Sequence, residues 1–276
     1  MKSVSRVLFV LLLSAAVGVC QTATPVPEIT APSCPANPGG RPVSITPAKR
    51  PTAEQIKTTA ETAAADPSMI IAAEPIPNFG TERYRLADYA ECVGGDGCYW
   101  ADVDAQTRRA EGALDLAVAH ARTGEKLAIV LDIDETSLSG FCELRREDYG
   151  FLLASFNKWV VTSEAAMPIP GTVRLFNKAR AAGIEVFFIT GRWDEQREAT
   201  AKNLELAGYK GWKGLALRVG PQKQMATVAY KSEERKKIVD AGYRIVLNMG
   251  DQWSDLNGDD RGEVSVKLPN PFYYLP

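Results

Sequence analysis

The chain is poor in histidine, and its cysteines are not spaced to hold a metal. His120 is the only histidine, and it lies in a helical pattern away from every acidic motif, so we interpret it as a structural residue. None of the five cysteines forms a CxxC pair, the spacing typical of structural zinc sites. These absences exclude a zinc site and any mechanism that depends on several histidines.

The sequence also lacks long apolar runs and an excess of basic residues. The formal net charge is −2, which is not the basic footprint of a nucleic-acid-binding protein. The one extended apolar segment, Val7 to Val17, is too short to span a bilayer stably. It follows Lys2 and Arg6 and is followed by small residues before Cys20, which predicts a signal peptide over residues 1–20.

Cys20 leaves two possibilities open at the N-terminus. It either ends the signal peptide or is the lipidated first residue of a mature lipoprotein. We therefore predict an exported protein, periplasmic or extracellular, which contacts a membrane only if it is lipidated at Cys20. Such a compartment is oxidising, and there Cys92 and Cys98 are the most natural disulfide pair. Cys34 with Cys142 is the remaining pairing, and free thiols are the alternative.

Composition divides the rest of the chain into three parts. Residues 21–51 contain eight prolines and few large apolar side chains, which indicates a linker or a poorly ordered tail. Residues 52–126 predict an N-terminal helical segment. Residues 127–276 predict the core of the protein, interrupted by an insertion at 139–167 that folds over the edge of the core. The aromatic residues of this insertion are more typical of packing than of substrate contact.

Strands and helices alternate through the core, which predicts an α/β fold with a doubly wound parallel sheet and helices on both faces. The first strand, Leu127 to Leu131, is an unbroken apolar run typical of a strand buried on both faces. The other strands are predicted at 184–189, 215–219, 244–248 and 264–268. The helices are predicted from Thr52 to about Ala65, from Asp102 or Asp104 to about Thr123, from Gly171 to Ala182, from Asp194 to Ala207 and from Ser232 to Ala241.

Carboxylates follow two of these strands directly. Asp132 and Asp134 come after the first strand, and Asp251 and Asp255 come after the strand that ends at Asn248. Because the carboxyl ends of parallel strands meet at one edge of the sheet, we expect the four acids to lie close together. Acidic groups at one site repel each other, and oxygen ligands without histidine or cysteine favour a hard divalent cation. The sequence therefore predicts a Mg²⁺ site.

Two further features at this edge indicate anion binding. Thr190 and Gly191 follow the second strand; we expect Gly191 to permit a tight turn into a helix whose free N–H groups bind an anion. Lys231 is predicted at the start of a helix, where the helix dipole disfavours a cation. A tertiary partner such as an acidic site with a phosphate explains that placement, and a solvated lysine is the alternative. Trp193, beside Thr190, could stack on a nucleobase or an aryl group.

These residues carry a resemblance to a known family. In order along the chain, the motifs resemble the four of the haloacid dehalogenase (HAD) superfamily, and its subfamily IIIB of plant-type and bacterial class C acid phosphatases in particular, over roughly residues 100–276. The resemblance rests on Asp132-Ile133-Asp134-Glu135-Thr136, Thr190-Gly191-Arg192, Tyr230-Lys231-Ser232, Gly250-Asp251-Gln252-Trp253-Ser254-Asp255-Leu256 and the tail Lys267-Leu268-Pro269-Asn270-Pro271-Phe272-Tyr273-Tyr274.

The resemblance implies a Rossmann-like core and a phosphomonoesterase for small-molecule substrates. It implies that Asp132 is a nucleophile that forms an aspartyl-phosphate, and that Asp134 is the acid and base for the leaving group and the water. Thr190, Gly191 and Lys231 then hold the phosphoryl group. The implied ligands of Mg²⁺ are Asp132, the Asp134 carbonyl, Asp251 and Asp255.

Two alternatives to a hydrolase remain open. A phosphotransferase passes the same phosphoryl group to an alcohol instead of water. A storage or structural relative has lost catalysis, and the presence of Asp132 speaks against it. The sequence names neither the natural substrate nor the oligomeric state.

Overall fold

The computed structural model describes residues 29–34, 50–73, 75–93 and 97–276. The predicted signal peptide, Cys20 and most of the proline-rich segment lie outside the described residues. Within these ranges, no helix combines the length and the apolar character that crossing a membrane requires.

Five parallel strands form one sheet in the part of the chain that the structure describes. In chain order they are β1 (Lys126–Leu131), β2 (Glu185–Trp193), β3 (Gly214–Arg218), β4 (Tyr243–Gly250) and β5 (Val264–Lys267). Their order in the sheet is β3-β2-β1-β4-β5, and every neighbouring pair is parallel. The chain builds outward from β1 in one direction and then in the other, so the order reverses beside β1, where ligands bind in such sheets. The predicted doubly wound α/β fold is confirmed.

Helices cover both faces of the sheet. The α-helices of the described residues are α1 (Ala53–Ala64), α2 (Phe79–Glu91), α3 (Tyr99–Ala119), α4 (Phe141–Arg146), α5 (Leu153–Trp159), α6 (Pro170–Ala181), α7 (Arg197–Leu206), α8 (Thr227–Asp240) and α9 (Trp253–Leu256). Helices α3 and α6 pack against the face that carries Ile129 and Leu131 of β1. Helix α8 packs against the face that carries Ala128 and Val130. Strand β1 is therefore buried on both sides, as its apolar run predicts.

The N-terminal helices differ in part from the prediction. Thr52 caps α1 through a reciprocal capping box with Gln55, as the sequence suggests. Helix α2 was not predicted. Helix α3 begins at Tyr99, ahead of the predicted start at Asp102 or Asp104, and ends at Ala119. The aromatic residues Tyr99 and Trp100 at its start are buried in a cluster with Phe141, and this burial outweighs the polar cap that the sequence offers.

Segment 139–167 folds into α4, α5 and a short 3₁₀ helix, Ser163–Ala166. The Ser139 N–H donates to the Met167 carbonyl (2.9 Å), which brings the two ends of the segment together. Disulfides join Cys34 to Cys142 on α4 and Cys92 to Cys98 at the junction of α2 and α3. The two pairings considered from the sequence are therefore both formed.

Candidate active site

The chain turns sharply after β1 and leaves two carboxylates at the carboxyl edge of the sheet. The Asp132 N–H still donates to the Met249 carbonyl of β4 (3.0 Å), so Asp132 continues the strand. The Ile133 carbonyl then accepts the Ser137 N–H (2.8 Å), and the Ser137 hydroxyl donates to the Asp132 carbonyl (2.6 Å). These bonds fix a tight loop in which Asp132 and Asp134 both line a cleft at the sheet edge.

Three of the four predicted carboxylates form one buried cluster. One oxygen each from Asp132, Asp251 and Asp255 lies within 4.8 Å of the others. A Cβ at Gly250 would lie 2.4 Å from the Asp255 side chain, so glycine is what allows β4 to end this close to that carboxylate. The side chain of Asp134 lines the same cleft outside this cluster.

Asp251 is held by three side-chain donors. Its Oδ1 accepts the Thr136 hydroxyl (3.0 Å), and its Oδ2 accepts the amides of Gln252 and Asn270 (2.7 Å each). Asn270 belongs to the C-terminal tail. From the sequence, this tail contributed only to the family resemblance, and no contact was predicted for it. The hydrogen bonds set the orientation of Asp251 before any ligand arrives.

Lys231 lies between two of the clustered carboxylates. Its Nζ contacts the carboxylate of Asp132, lies 2.8 Å from Oδ1 of Asp255 and donates to the Ile189 carbonyl (2.7 Å). The lysine is only 3% exposed. The prediction that it stands at a helix start is wrong, because α8 begins at Thr227. Packing of Tyr230 against the sheet extends the helix N-terminally beyond the predicted start. The solvated-lysine alternative is also excluded by its burial.

Among the described residues, the carboxylates of this cluster outnumber the one lysine that contacts them directly. Burial raises the pKa of Asp132 well above its ordinary value, and repulsion by Asp255 adds to the rise. Burial and the same neighbour raise the pKa of Asp251 to about 6. Burial lowers the pKa of Lys231, but the adjacent carboxylates raise it more, and it ends above its ordinary value. Lys231 is shared by Asp132 and Asp255, and the mutual repulsion of the three carboxylates favours the binding of a further cation.

Gly191 lines the cleft beside this cluster and Thr190 does not, and the local backbone differs from the prediction. Strand β2 stays extended through Trp193, so no helix starts directly after Gly191. Gly191 has no positive φ, and a Cβ there would meet nothing within 4 Å. The prediction of a tight turn at Gly191 that leads directly into a helix is therefore wrong. The open space leaves its backbone accessible from the cleft, while Thr190 is fully buried next to it.

Arg192 is a residue whose contact sequence reasoning missed. Its guanidinium donates to both carboxylate oxygens of Asp134 (3.0 and 2.7 Å) and to the Thr200 hydroxyl (3.0 Å). The pair joins the loop after β1 to the end of β2 and fixes the direction of the Asp134 side chain. The only sequence signal was an arginine directly after a Thr-Gly strand end.

Glu135 was also missed. It is fully buried with a left-handed backbone (φ 52°), and it accepts the Tyr273 hydroxyl and the Gly140 N–H (2.5 Å each). Burial and the charge of Asp134 raise the pKa of Glu135 to about 8. Glu135 thereby connects the loop after β1 with segment 139–167 and the C-terminal tail. Nothing in the sequence marks this connection.

The cleft above these residues has a volume of about 310 Å³. Phe151 and Phe156 of segment 139–167 line it together with Trp193. Phe151 also packs on Phe156 and Tyr273, with ring centroids 5.2 and 4.5 Å away. The aromatic residues of the segment therefore pack among themselves, as expected, and also form a wall of the cleft. His120, at the end of α3, is exposed and does not line it.

In the absence of metal, we expect the free energy of unfolding to fall as the pH rises. Asp251 and Glu135 have a higher pKa in the folded chain than in the unfolded one. Such groups bind protons preferentially in the folded chain, so their contribution is complete below the ordinary pKa and is lost as the pH passes the folded pKa. Between about pH 5 and about pH 9 the expected loss is a few kcal/mol. Thermal unfolding in EDTA measures it.

Glu135→Gln tests the source of this pH dependence. The amide keeps the shape of the side chain and cannot ionise, so the loss of stability should be smaller in the variant. Glu205→Gln, on the exposed surface, is the matched control and should follow the unmodified chain. A flat or rising profile for the unmodified chain in EDTA would contradict the expectation.

Comparison with known proteins agrees with this geometry. The sequence model of the HAD superfamily, subfamily IIIB (Acid phosphatase), matches residues 49–276. The chain is 38% identical over 149 residues to acid phosphatase 1 of Solanum lycopersicum, a match that covers 53% of this chain and 58% of that protein. It is 37% identical over 150 residues to vegetative storage protein 1 of Arabidopsis thaliana, covering 53% and 55%. The chain thus spans little more than half the length of these curated relatives.

Solved structures extend the match to the fold. The class C acid phosphatase of Bacillus anthracis superposes with a TM-score of 0.54 at 27% sequence identity, covering 65% of this chain and 81% of that one. The same enzyme with tungstate bound superposes with a TM-score of 0.53. Because the sequence model spans most of the chain and the fold agrees, the resemblance found in the motifs is confirmed: the chain belongs to the HAD superfamily, subfamily IIIB (Acid phosphatase).

Proposed function

We propose that the chain is an exported, Mg²⁺-dependent acid phosphatase that hydrolyses small phosphomonoesters through an aspartyl-phosphate on Asp132. The observation that carries the proposal is the contact of Asp132 with Lys231 beside Asp251 and Asp255, at the reversal point of the sheet. A nucleophilic carboxylate, a cation for the phosphoryl oxygens and a metal-binding pair are thereby combined in one cleft.

The residues present fit a magnesium ion. Asp132, Asp251 and Asp255 supply closely spaced oxygens without nitrogen or sulfur donors, the ligand type that Mg²⁺ prefers. Burial and mutual repulsion raise the pKa of Asp132 and Asp251, so a cation that binds them as carboxylates relieves a real electrostatic cost. We propose that these three residues and the Asp134 carbonyl hold the ion. When bound, it screens the charge of Asp132 against that of the phosphate.

In the first step, an oxygen of Asp132 attacks phosphorus and the ester oxygen leaves. Lys231 and the accessible backbone of Gly191 hold the phosphoryl oxygens as charge moves onto them. The Thr190 hydroxyl, which accepts the Arg192 N–H (3.2 Å) and is fully buried in this structure, must become accessible from the cleft to join them. Lys231 is already held by Asp132, Asp255 and the Ile189 carbonyl. Its side chain therefore loses little further conformational entropy when substrate binds. The structural relative binds tungstate, an oxyanion, which supports the proposal that this chain also binds one.

Asp134 serves as the acid and base in this proposal. It delivers a proton to the leaving alkoxide and then takes one from the water that cleaves the aspartyl-phosphate. Both carboxylate oxygens of Asp134 accept hydrogen bonds from Arg192 in this structure. Proton delivery therefore requires that Asp134 release at least one of its hydrogen bonds to Arg192 in the substrate complex.

Relatives named as storage proteins make a non-catalytic role the natural competitor. The chain retains Asp132 together with the buried carboxylates and Lys231, and a storage role gives no reason to keep an unbalanced cluster of buried charges. Two disulfides support an oxidising compartment and hence export. We propose a periplasmic or extracellular location, with or without a lipid anchor at Cys20.

Removal and return of metal test the proposal. Purified protein should hydrolyse phosphomonoesters at acidic pH, lose at least about 90% of the activity in EDTA and recover it with added Mg²⁺, because the carboxylates repel each other without it. Tungstate should inhibit competitively. Full activity in a metal-free preparation would contradict the metal assignment, and no activity with any phosphomonoester in the presence of Mg²⁺ would contradict the phosphatase assignment.

A further inference from the structure

Arg218 is a buried cation whose partners are all neutral. It ends β3 and is 7% exposed. Its Nη1 donates to the carbonyls of Gln222 and Met225 (2.8 and 2.7 Å), and its Nη2 donates to the Thr227 hydroxyl (3.0 Å). The guanidinium lies 4.6 Å from the centroid of the Tyr230 ring. Among the described residues, no carboxylate forms an ion pair with it.

The other cations that line the cleft are different. Lys231 pairs with Asp132 and Asp255, Arg192 pairs with Asp134, and Lys223 pairs with Glu195. A buried charge without a counter-charge is costly, and burial lowers the pKa of Arg218 below its ordinary value. The missing negative charge can come from a ligand, because Arg218 lines the same cleft as the carboxylate cluster.

Arg218 also keeps free donors for such a ligand. A guanidinium has five N–H donors in a fixed plane. The three hydrogen bonds above leave Nε–H and one Nη2–H without an acceptor among the described residues. Helix α8 adds to the positive potential: it begins at Thr227, which lines the cleft, and has neither a capping side chain nor an acidic residue in its first turn.

The position of Arg218 separates it from the reacting phosphoryl group. Strand β3 is two strands from β1, which is about 10 Å at ordinary strand spacing. Arg218 is in register with Trp193, which follows Thr190 along β2, and both Arg218 and Trp193 line the cleft. A phosphoryl group beside Asp132 therefore leaves Arg218 facing the part of the cleft that receives the leaving group.

We propose that Arg218, with Thr227 and the start of α8, forms a subsite for a second anionic group, and that the preferred substrates are phosphomonoesters whose leaving group carries a phosphate or a carboxylate. The inference rests on the proposed phosphatase activity and specifies its substrate class. A purely structural role is the competing explanation, since the arginine also ties together the loop at 219–226.

Three matched substrates test the subsite: hexyl phosphate, its analogue with a terminal carboxylate and its analogue with a terminal phosphate. With the Mg²⁺-loaded full chain, kcat/KM for the two substrates that carry a second anionic group should exceed that for hexyl phosphate by about tenfold or more, after correction for the two equivalent phosphates of the last substrate. The comparison between the two analogues identifies which anion the subsite prefers.

Variants locate the effect. Arg218→Met should bring the ratio of kcat/KM values close to one, and Arg218→Lys should restore part of it. Lys210→Met removes one positive charge from the exposed surface outside the cleft and should keep the ratio of the unmodified chain. An equal loss on all three substrates in Arg218→Met would mean that the arginine is structural, and the proposal would fall.

The outcomes separate this inference from the proposed function. Hydrolysis of all three substrates with equal kcat/KM by the unmodified chain would overturn the subsite and leave the phosphatase standing. Calorimetry with hexylphosphonate and its terminal bisphosphonate measures binding to the subsite without turnover. Tighter binding of the bisphosphonate, lost in Arg218→Met, supports the subsite, and equal binding of both phosphonates overturns it even if no ester is hydrolysed.

Discussion

Replacing Asp132 with asparagine should lower kcat/KM for phosphomonoesters by at least about a thousandfold and leave the fold intact, because an amide cannot attack phosphorus. The side chain has a charged contact with Lys231 but little packing role, and Lys231 keeps Asp255 and the Ile189 carbonyl as partners in the variant. The substitution also removes one of three mutually repelling acids. We therefore expect an unfolding temperature close to that of the unmodified chain.

Acid-quench experiments identify the intermediate directly. After mixing with substrate, the unmodified chain should carry a phosphoryl group that hydroxylamine removes, as expected of an acyl phosphate, and Asp132→Asn should carry none. Asp240→Asn is the matched control, since Asp240 lies on the exposed end of α8 far from the carboxylate cluster. Turnover of Asp132→Asn within about tenfold of the unmodified chain would rule out the covalent mechanism.

The meeting of Asp132, Asp251 and Asp255 was predictable because one rule covers it. Polar residues that directly follow buried parallel strands arrive at the same edge of the sheet, whatever the loops between them do. Apolar runs of the right length are enough to predict such strands, and β1 and β4 contain such runs. The same reasoning brings β2 to this edge, where the Ile189 carbonyl accepts a hydrogen bond from Lys231, but it did not predict that Thr190 would be fully buried beside the cleft.

Contacts that join side chains across the fold were beyond that rule. Arg192 meets Asp134 across 58 residues, and Tyr273 meets Glu135 across 138. Both contacts depend on side-chain directions that the packing of segment 139–167 and of the tail determines. The predicted start of α8 was wrong for a related reason. Burial of Tyr230 extends the helix N-terminally beyond Ser232, although the local sequence offers no capping side chain there. Local patterns record propensities, and these positions are decided by burial.

Replacing Asp134 with asparagine should have effects that depend on the leaving group. If Asp134 protonates the departing oxygen, kcat/KM for alkyl phosphates should fall by roughly 10²–10⁴. Aryl phosphates leave as more stable anions and need less protonation, so their first step should suffer less. Asparagine can still accept a hydrogen bond from Arg192, which keeps the side chain in place and separates loss of chemistry from loss of position.

The second half of the reaction makes this prediction sharper. Cleavage of the aspartyl-phosphate also needs Asp134, now as the base that activates water, so the intermediate should accumulate in Asp134→Asn with an aryl substrate. The expected trace is a burst of phenol release, equal in amount to the enzyme, followed by slow turnover. Asp240→Asn should show no burst beyond that of the unmodified chain. An equal loss on alkyl and aryl substrates without a burst would mean that Asp134 acts through the position of its carbonyl and its pair with Arg192, because a group that transfers no proton cannot distinguish leaving groups by their basicity.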